Sequence, residues 1–507
     1  MKFLKKNWLI ILIMGVATFL RFYKLDTLPA GLHPDEAANG LDIISIIDNH
    51  NFAAVYDTNG PREALFFYLQ AIFVLIGKLT HWAFLDFTPL SLRIAPAILG
   101  VATVYGIYLL GKELFNKNIG LFSAAAMSVS AWHIQFSRNG FRAIMAPLAL
   151  IFMFYFFSKA LKSGKVKDFV AFGITLALGF YTYLSFRLVP LALIAIIGYL
   201  LIFNLEFMKK NLRNIFISFA VFLVFMTPLF IHFVRVPEDI FGRASTSVFS
   251  TGDSGKSPVQ ALAVNVKDTI LMFNFHGDKN FRHNLGGTAM LDPFVGILLW
   301  IGFFISLLGI KKVKNFILLV WFSVLSLPEI LTGEGIPHAL RMVGAMVPLF
   351  LWASIGLEWL LKESKVRHIT TVGVVAILLI SGTFGFTKYF IEFPKYKDSR
   401  EAYAYDMVGI ANSIKANPPG TKDILITGGY GTKTIEFVAY YQKNDITRYE
   451  LRDIKSLKLP KDKYKIYVDK GWIDDAKREF QGIGFTDELK PFHSKLDGEI
   501  IYYEYSN

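Results

Sequence analysis

Long apolar runs recur along this chain at a length that fits a bilayer. Residues 92–110, 119–136, 143–161, 169–184, 188–203, 215–233, 294–310, 316–331, 342–361 and 369–390 are dominated by aliphatic and aromatic side chains, and residues 9–22 precede them. Roughly 18–22 apolar residues in a helix cross the hydrocarbon core. Such spacing predicts a polytopic α-helical membrane protein with about eleven transmembrane helices. The mean hydropathy of +0.43 and the 48 phenylalanines fit that class and no ordinary soluble one. The net charge of +13 does not point to nucleic acid, because the Lys and Arg residues form short clusters between apolar blocks. The absence of Cys excludes disulfides and thiolate metal sites. No small-residue cleavage site follows the first block, which therefore reads as a retained anchor.

The basic clusters set an expected topology. Lys2, Lys5 and Lys6 place the N-terminus in the cytoplasm. Lys112/Lys117, Lys162/Lys165/Lys167, Lys209/Lys210/Arg213, Lys311/Lys312/Lys314 and Lys362/Lys365/Arg367 occur at alternate turns. One further block, residues 64–79, is apolar but short and interrupted by Gln70 and Lys78. All the clusters fall on the N-terminal side only if that block does not span, so it is expected as an amphipathic or partly inserted helix. The external segments are then residues 23–91, 137–142, 185–187, 234–292, 332–341 and everything after 390. Two domains follow: a transmembrane domain over 1–390 and a soluble extracytoplasmic α/β domain over 391–507. In the latter, 423–427, 464–468 and 500–505 read as strands, and 400–416, 434–442 and 472–481 as helices.

The candidate chemistry lies on the external face. Asp35 and Glu36 follow Pro29, Gly31 and Pro34, which impose a non-helical approach, and residues 35–47 have helical spacing. One of the acids could serve only as a helix N-terminal charge. The other reading is a general base at a low-dielectric surface, where a carboxylate's pKa rises towards useful values. The basic residues on this face are Arg62, Arg138, Arg142, Arg187, Arg282, His283, His338 and Arg341. Each alone could reach for lipid headgroups. Together they suit a phosphate-bearing ligand, since Arg pairs bidentately with phosphate oxygens and stabilises charge on a leaving phosphate. Glu63 and His276 offer no standard metal-ligand spacing, and no Walker loop is present.

Several stretches resemble C-type-fold glycosyltransferases (GT-C), in particular the protein O-mannosyltransferase and aminoarabinose-transferase group. They are Arg21-Phe22-Tyr23-Lys24-Leu25 followed by His33-Pro34-Asp35-Glu36-Ala37, Leu92-Arg93-Ile94-Ala95-Pro96-Ala97, the turn from Gly111 to Phe115, Trp132-His133 with Phe136-Ser137-Arg138, and His338-Ala339-Leu340-Arg341. The resemblance covers roughly residues 1–390. It implies that a sugar on a polyprenyl phosphate is transferred, with inversion, to an acceptor on the outer face. Asp35 would deprotonate the acceptor, Glu36 would assist, and the cations would hold the phosphate. The acceptor is a lipid, a glycan or a protein. The 234–292 loop is too short for an inserted β-trefoil-sized domain, which favours the first two. No cofactor is certain. A divalent metal is open, although one tight acidic pair leans against it. The competing class is a transporter or flippase of lipid-linked sugars, disfavoured because no internal repeat is present and the ionisable residues gather at one face. A sensor with an external domain ranks below both.

Overall fold

The structure, a computed structural model, describes residues 2–241, 257–333, 335–363 and 367–507. Residues 242–256 of the expected loop 234–292, and Lys365 of one basic cluster, lie outside the described residues.

Among the described residues, seven helical segments are long and apolar enough to cross a membrane: Pro89–Leu114, Arg142–Ser163, Leu184–Phe203, Leu212–Arg235, Val313–Ile330, Val343–Glu363 and Val372–Lys395. Asn7–Phe22, Leu65–Thr80 and Pro293–Leu308 are apolar but shorter. The protein is a multi-pass membrane protein. The block expected at 119–136 is broken into Lys117–Val129 and Ala131–Phe136 by Ser130, whose backbone is extended at φ −64, ψ 121. The block at 169–184 is the 15-residue helix Val166–Phe180. The ambiguous block is a 16-residue helix, Leu65–Thr80. At the α-helical rise it is about 24 Å long, short of a ~30 Å hydrocarbon core.

The chain divides into two compact units that interleave in sequence. One comprises Met1–Leu25, Phe52–Leu69 and Arg93–Lys395; the other comprises Asp26–Asn51, Gln70–Leu92 and Tyr396–Asn507. Residues 26–51 and 70–91, within the segment expected as the first external loop, thus group with the C-terminal segment rather than with the membrane helices.

In the first unit, large rings fill the helix interfaces. Trp321 stacks on Phe154 at 4.5 Å, and Trp352 meets Phe303 and Phe322 edge-on at 5.1 and 5.3 Å. Polar ties lie among them, such as Ser123 Oγ to Ser354 Oγ at 2.6 Å, the kind of bond that holds apolar helices in register. A two-stranded antiparallel hairpin of β1 (Val55–Tyr56) and β2 (Arg62–Glu63) precedes Leu65–Thr80.

In the second unit, five strands form one sheet: β3 (Lys422–Ile426), β4 (Ile446–Tyr449), β5 (Tyr464–Asp469), β6 (Lys490–His493) and β7 (Ile500–Ser506). Their order is β4-β3-β5-β7-β6, with β3 parallel to β4 and β5, and β7 antiparallel to β5 and β6. Ile424, Ile426, Ile466 and Val468 face one side, where Ile473, Ala476 and Phe480 of helix Ile473–Gly482 cover them. On the other side helix Tyr405–Lys415 reaches the sheet through Ser413, whose hydroxyl lies 2.5 Å from that of Tyr502. This is the small α/β arrangement expected, with β4 and β6 added. The helix expected over 400–416 is interrupted: Lys397–Glu401 and Tyr405–Lys415 are separated at Ala404, where φ is +47°.

Candidate active site

Asp35 and Glu36 occupy the first turn of helix Pro34–Asn49 in the second unit. His33 caps that helix. Its backbone is extended (φ −62, ψ 141), and its Nδ1 accepts a hydrogen bond from the Asp35 amide at 3.0 Å. Pro34 fills the first helical position, where a missing N–H costs nothing. The cap orients the turn and puts both acids at the positive end of the helix dipole. The two carboxylates then differ in access. The Asp35 side chain is 26% exposed, whereas Glu36 is fully buried. The same helix buries Asn39 and Asp42, so Asp35, Asn39 and Asp42 form a polar stripe at i, i+4, i+7.

The candidate cations all belong to the first unit, and they fall into distinct groups. Arg138 is fully buried. Its guanidinium donates to the carbonyls of Leu20, Arg21 and Lys24 at 3.1, 2.9 and 3.0 Å and lies over the rings of Tyr389 and Phe390. The Leu20 and Arg21 carbonyls are orphan acceptors in the last turn of helix Lys2–Phe22, and Lys24 follows in the turn beyond it. In this geometry Arg138 ties off the end of this helix.

Arg142 and Arg187 instead converge on Glu63, which is 1% exposed at the end of β2. Arg142 pairs with Glu63 Oε2, and Arg187 donates to Glu63 Oε1 at 2.7 Å. Arg187 also donates to the carbonyls of Asp239 and Ile240 at 2.8 and 2.7 Å. The rings of Tyr183 and Phe233 carry the two guanidiniums at 5.6 and 4.9 Å. Two cations on one carboxylate leave the group with a net charge of +1. Arg62 is the neighbour of Glu63 on β2.

The third group is one the sequence did not reveal. Asp278, His283 and His338 bring their ligating atoms within 4.8 Å of one another. His283 Nδ1 lies 2.9 Å from Asp278 Oδ2, which also accepts from the Ala339 amide at 2.8 Å, and the two imidazoles are 4.6 Å apart. The His338 amide donates to Glu329 Oε1 at 2.8 Å. Burial lowers the pKa of His283, and burial with the charge of His283 lowers that of His338 to about 3. Burial alone would raise the Asp278 carboxyl, but the hydrogen bond and charge of His283 and the charge of His338 bring it below the usual range. All three pKa values are lowered, which favours the deprotonated ligand atoms that a divalent cation requires. Buried His283 Nε2 and His338 Nδ1 have no hydrogen-bond partner among the described residues, so lone pairs are left for a ligand. Arg282 and Arg341 are near enough for their charge to act on both imidazoles. Arg282 lies over the Phe141 ring at 5.8 Å, and Asn139 binds its carbonyl at 3.3 Å. His283 and His338, expected as phosphate contacts, thus sit in a metal-competent cluster. The only sequence signal was two separated loops that each carry His beside Arg.

A family described as dolichyl-phosphate-mannose-protein mannosyltransferase matches residues 64–232. No curated protein sequence matches the chain. Among solved structures, ArnT from Cupriavidus metallidurans bound to undecaprenyl phosphate is similar over 99% of this chain and 98% of that one, with 12% identity and a TM-score of 0.61. The Archaeoglobus fulgidus oligosaccharyltransferase AglB, in complex with an inhibitory peptide and a dolichol-phosphate, is similar over 86% of this chain and 64% of that one, with 13% identity and a TM-score of 0.53. The same enzyme tethered to an acceptor peptide containing the NVT sequon aligns over 99% and 74%, at 13% identity and a TM-score of 0.56. The chain has the fold of these C-type glycosyltransferases.

Proposed function

We propose, from that fold, that the protein is a membrane glycosyltransferase that moves a sugar from a polyprenyl-phosphate-linked donor to an acceptor on the outer face. Asp35 is the general base. It takes the proton of the acceptor hydroxyl, the hydroxyl oxygen bonds to the anomeric carbon, and the bond from that carbon to the phosphate oxygen breaks. The electron pair leaves with the polyprenyl phosphate, and the configuration inverts because a single displacement occurs. The observation that carries this reading is the unequal exposure of the acid pair. Asp35 is accessible at a capped helix start, while Glu36 is enclosed and can only orient or assist. Undecaprenyl phosphate and dolichol-phosphate, bound by two proteins of this fold, support the donor class.

Arg142, Arg187 and Arg62, with Arg282 and Arg341, are the groups assigned to the donor phosphate. As the phosphodiester becomes a monoester it gains negative charge, which fixed guanidiniums stabilise without reorganising. Asp278, His283 and His338 would hold a divalent cation, which would neutralise phosphate charge when bound. The acceptor is a lipid or glycan by preference over a protein. The N-terminus is cytoplasmic, and the C-terminal domain extracytoplasmic.

The test is transfer from defined polyprenyl-phosphate sugars by purified protein. Asp35→Asn should retain folding and donor binding while losing transfer by at least 10³-fold, and Glu36→Gln should lose less. Full transfer by Asp35→Asn would falsify the base assignment. Donor translocation across vesicles without transfer would favour a flippase.

A further inference from the structure

The helix that carries Asp35 and Glu36 is held, within the second unit, by residues from the far end of the chain. Three contacts bracket the acid pair. On its N-terminal side, Gly31 has φ +89°, and a Cβ there would lie 2.2 Å from the Tyr403 carbonyl and 2.9 Å from the Tyr405 backbone. Only glycine admits this backbone-to-backbone approach. Next to it, the carbonyl of fully buried Leu32 accepts a hydrogen bond from Thr434 Oγ1 at 3.0 Å. On the C-terminal side, the Phe437 ring lies flush against Gly40, where a Cβ would come within 2.5 Å of it. Gly40 is one turn beyond Glu36 on the same helix face. Farther along, Tyr440 donates to Asp48 Oδ2 at 2.8 Å.

The ring that meets Gly40 is itself fixed. Phe437 is fully buried, with Phe87 edge-on at 5.8 Å, and Phe87 packs on Tyr440 at 4.8 Å. Thr434 and Phe437 stand on one short helix, Thr432–Val438, which leaves β3 of the sheet through Gly428–Gly431. One rigid element therefore grips the backbone just before the acids and the helix just after them.

We propose that the C-terminal domain is a positioning element for the transfer reaction, with Thr434 and Phe437 as positioning residues that fix where Asp35 and Glu36 point. This rests on the reading of Asp35 as the base. A base must be held to within fractions of an ångström of its proton, and a misplacement of about 1 Å costs on the order of 10²-fold in rate. The domain's place in the enzyme is then to complete the acid-bearing turn, rather than to recognise the acceptor from a distance.

The experiment uses the full-length protein in nanodiscs, with Phe437→Ala, Thr434→Val, Gly40→Ala and the double variant Gly40→Ala/Phe437→Leu. Amide hydrogen exchange over residues 31–49 is measured beside donor-dependent transfer kinetics. Each single variant should accelerate exchange over 31–49 about tenfold or more, leave the membrane helices unchanged, and lower kcat at least tenfold with the donor KM within twofold. Phe437→Leu should recover part of the loss caused by Gly40→Ala, because the smaller side chain makes room for the added methyl. Exchange and kcat both within twofold of wild type in Phe437→Ala and Thr434→Val would overturn the proposal. So would faster exchange with unchanged kcat. A parallel Asp35→Asn measurement separates the two claims. Transfer retained by Asp35→Asn removes the base, whereas transfer lost there but untouched by Phe437→Ala removes the positioning role.

Discussion

Replacing Glu63 by Gln tests the charge logic of the membrane unit most directly. The substitution keeps the shape and one acceptor oxygen but leaves Arg142 and Arg187 facing a neutral amide. Removing one partner of a buried ion pair costs about 3–5 kcal/mol when the remaining charge has no other support. Arg187 keeps the Asp239 and Ile240 carbonyls and the Phe233 ring, and Arg142 keeps the Tyr183 ring. Their side chains are 17% and 13% exposed, so solvent screens part of the loss. These supports bring the cost to the bottom of that range or just below it, about 2–3 kcal/mol, and in a large domain that lowers Tm by roughly 5–10 °C. A polyprenyl phosphate returns an anion to the same guanidiniums. At about a hundredfold its Kd any such ligand adds about 2.7 kcal/mol. The variant should bind undecaprenyl phosphate more tightly than wild type, since Glu63 no longer competes, and should gain more Tm at equal lipid concentration. The assay is thermal unfolding in detergent followed by tryptophan fluorescence, with and without the lipid. A Tm within 1 °C of wild type would refute the buried triad. A normal drop in Tm, with no greater protection by the lipid than in wild type, would refute the phosphate role of the two arginines.

Further outcomes follow from two other groups. Purified protein should carry about one divalent ion per chain, such as zinc, by elemental analysis, and His283→Ala should lose it. Because His338 protonates only near pH 3, and the pKa values of His283 and Asp278 are also lowered, metal retention should stay flat as pH falls through 6.5, where an exposed histidine site would release it. In the metal-stripped protein the same depression makes the folded state bind fewer protons than the unfolded one, so stability falls as pH drops from 6.5 towards 3. In the C-terminal domain, burial lifts the Asp423 carboxyl from 3.8 to about 6 despite its bond from Asn417. A raised folded pKa gives stability that is full below 3.8 and lost as pH rises through 6. Asp423→Asn should therefore raise stability at pH 8, by at most about 3 kcal/mol, and change little below about pH 4, as read by thermal unfolding across pH.

The sequence disclosed what repeats and what alternates. Apolar blocks marked most membrane helices to within a few residues, and the alternation at 423–427, 464–468 and 500–505 marked β3, β5 and β7. β4 and β6 escaped because they are four residues long and largely exposed, so no buried face patterns them. The break at Ser130 escaped because a kink changes no composition. At the site, the non-helical approach to Asp35 was legible from Pro29, Gly31 and Pro34. The inequality of Asp35 and Glu36 was not, since neighbours on a helix differ only in which face is covered. The carbonyl contacts of Arg138 were not legible either: an arginine at a helix end looks the same in sequence whether it meets a phosphate or another helix's carbonyls. Asp278 and His338 lie on different loops, and only folding brings them together.

The bond between Leu32 and Thr434 spans 402 residues of chain. At a ribosome that adds about 5–20 residues per second, roughly 20–80 s separate the emergence of its two ends. The acid-bearing turn is thus made long before the residues that support it. During that interval every membrane helix can insert while Gly31 and Gly40 still lack Tyr403 and Phe437. Synthesis of residues 403–437 then doubles as an assembly check, and a chain cut before β3 would keep its two acids without the Thr434 and Phe437 contacts that hold their helix.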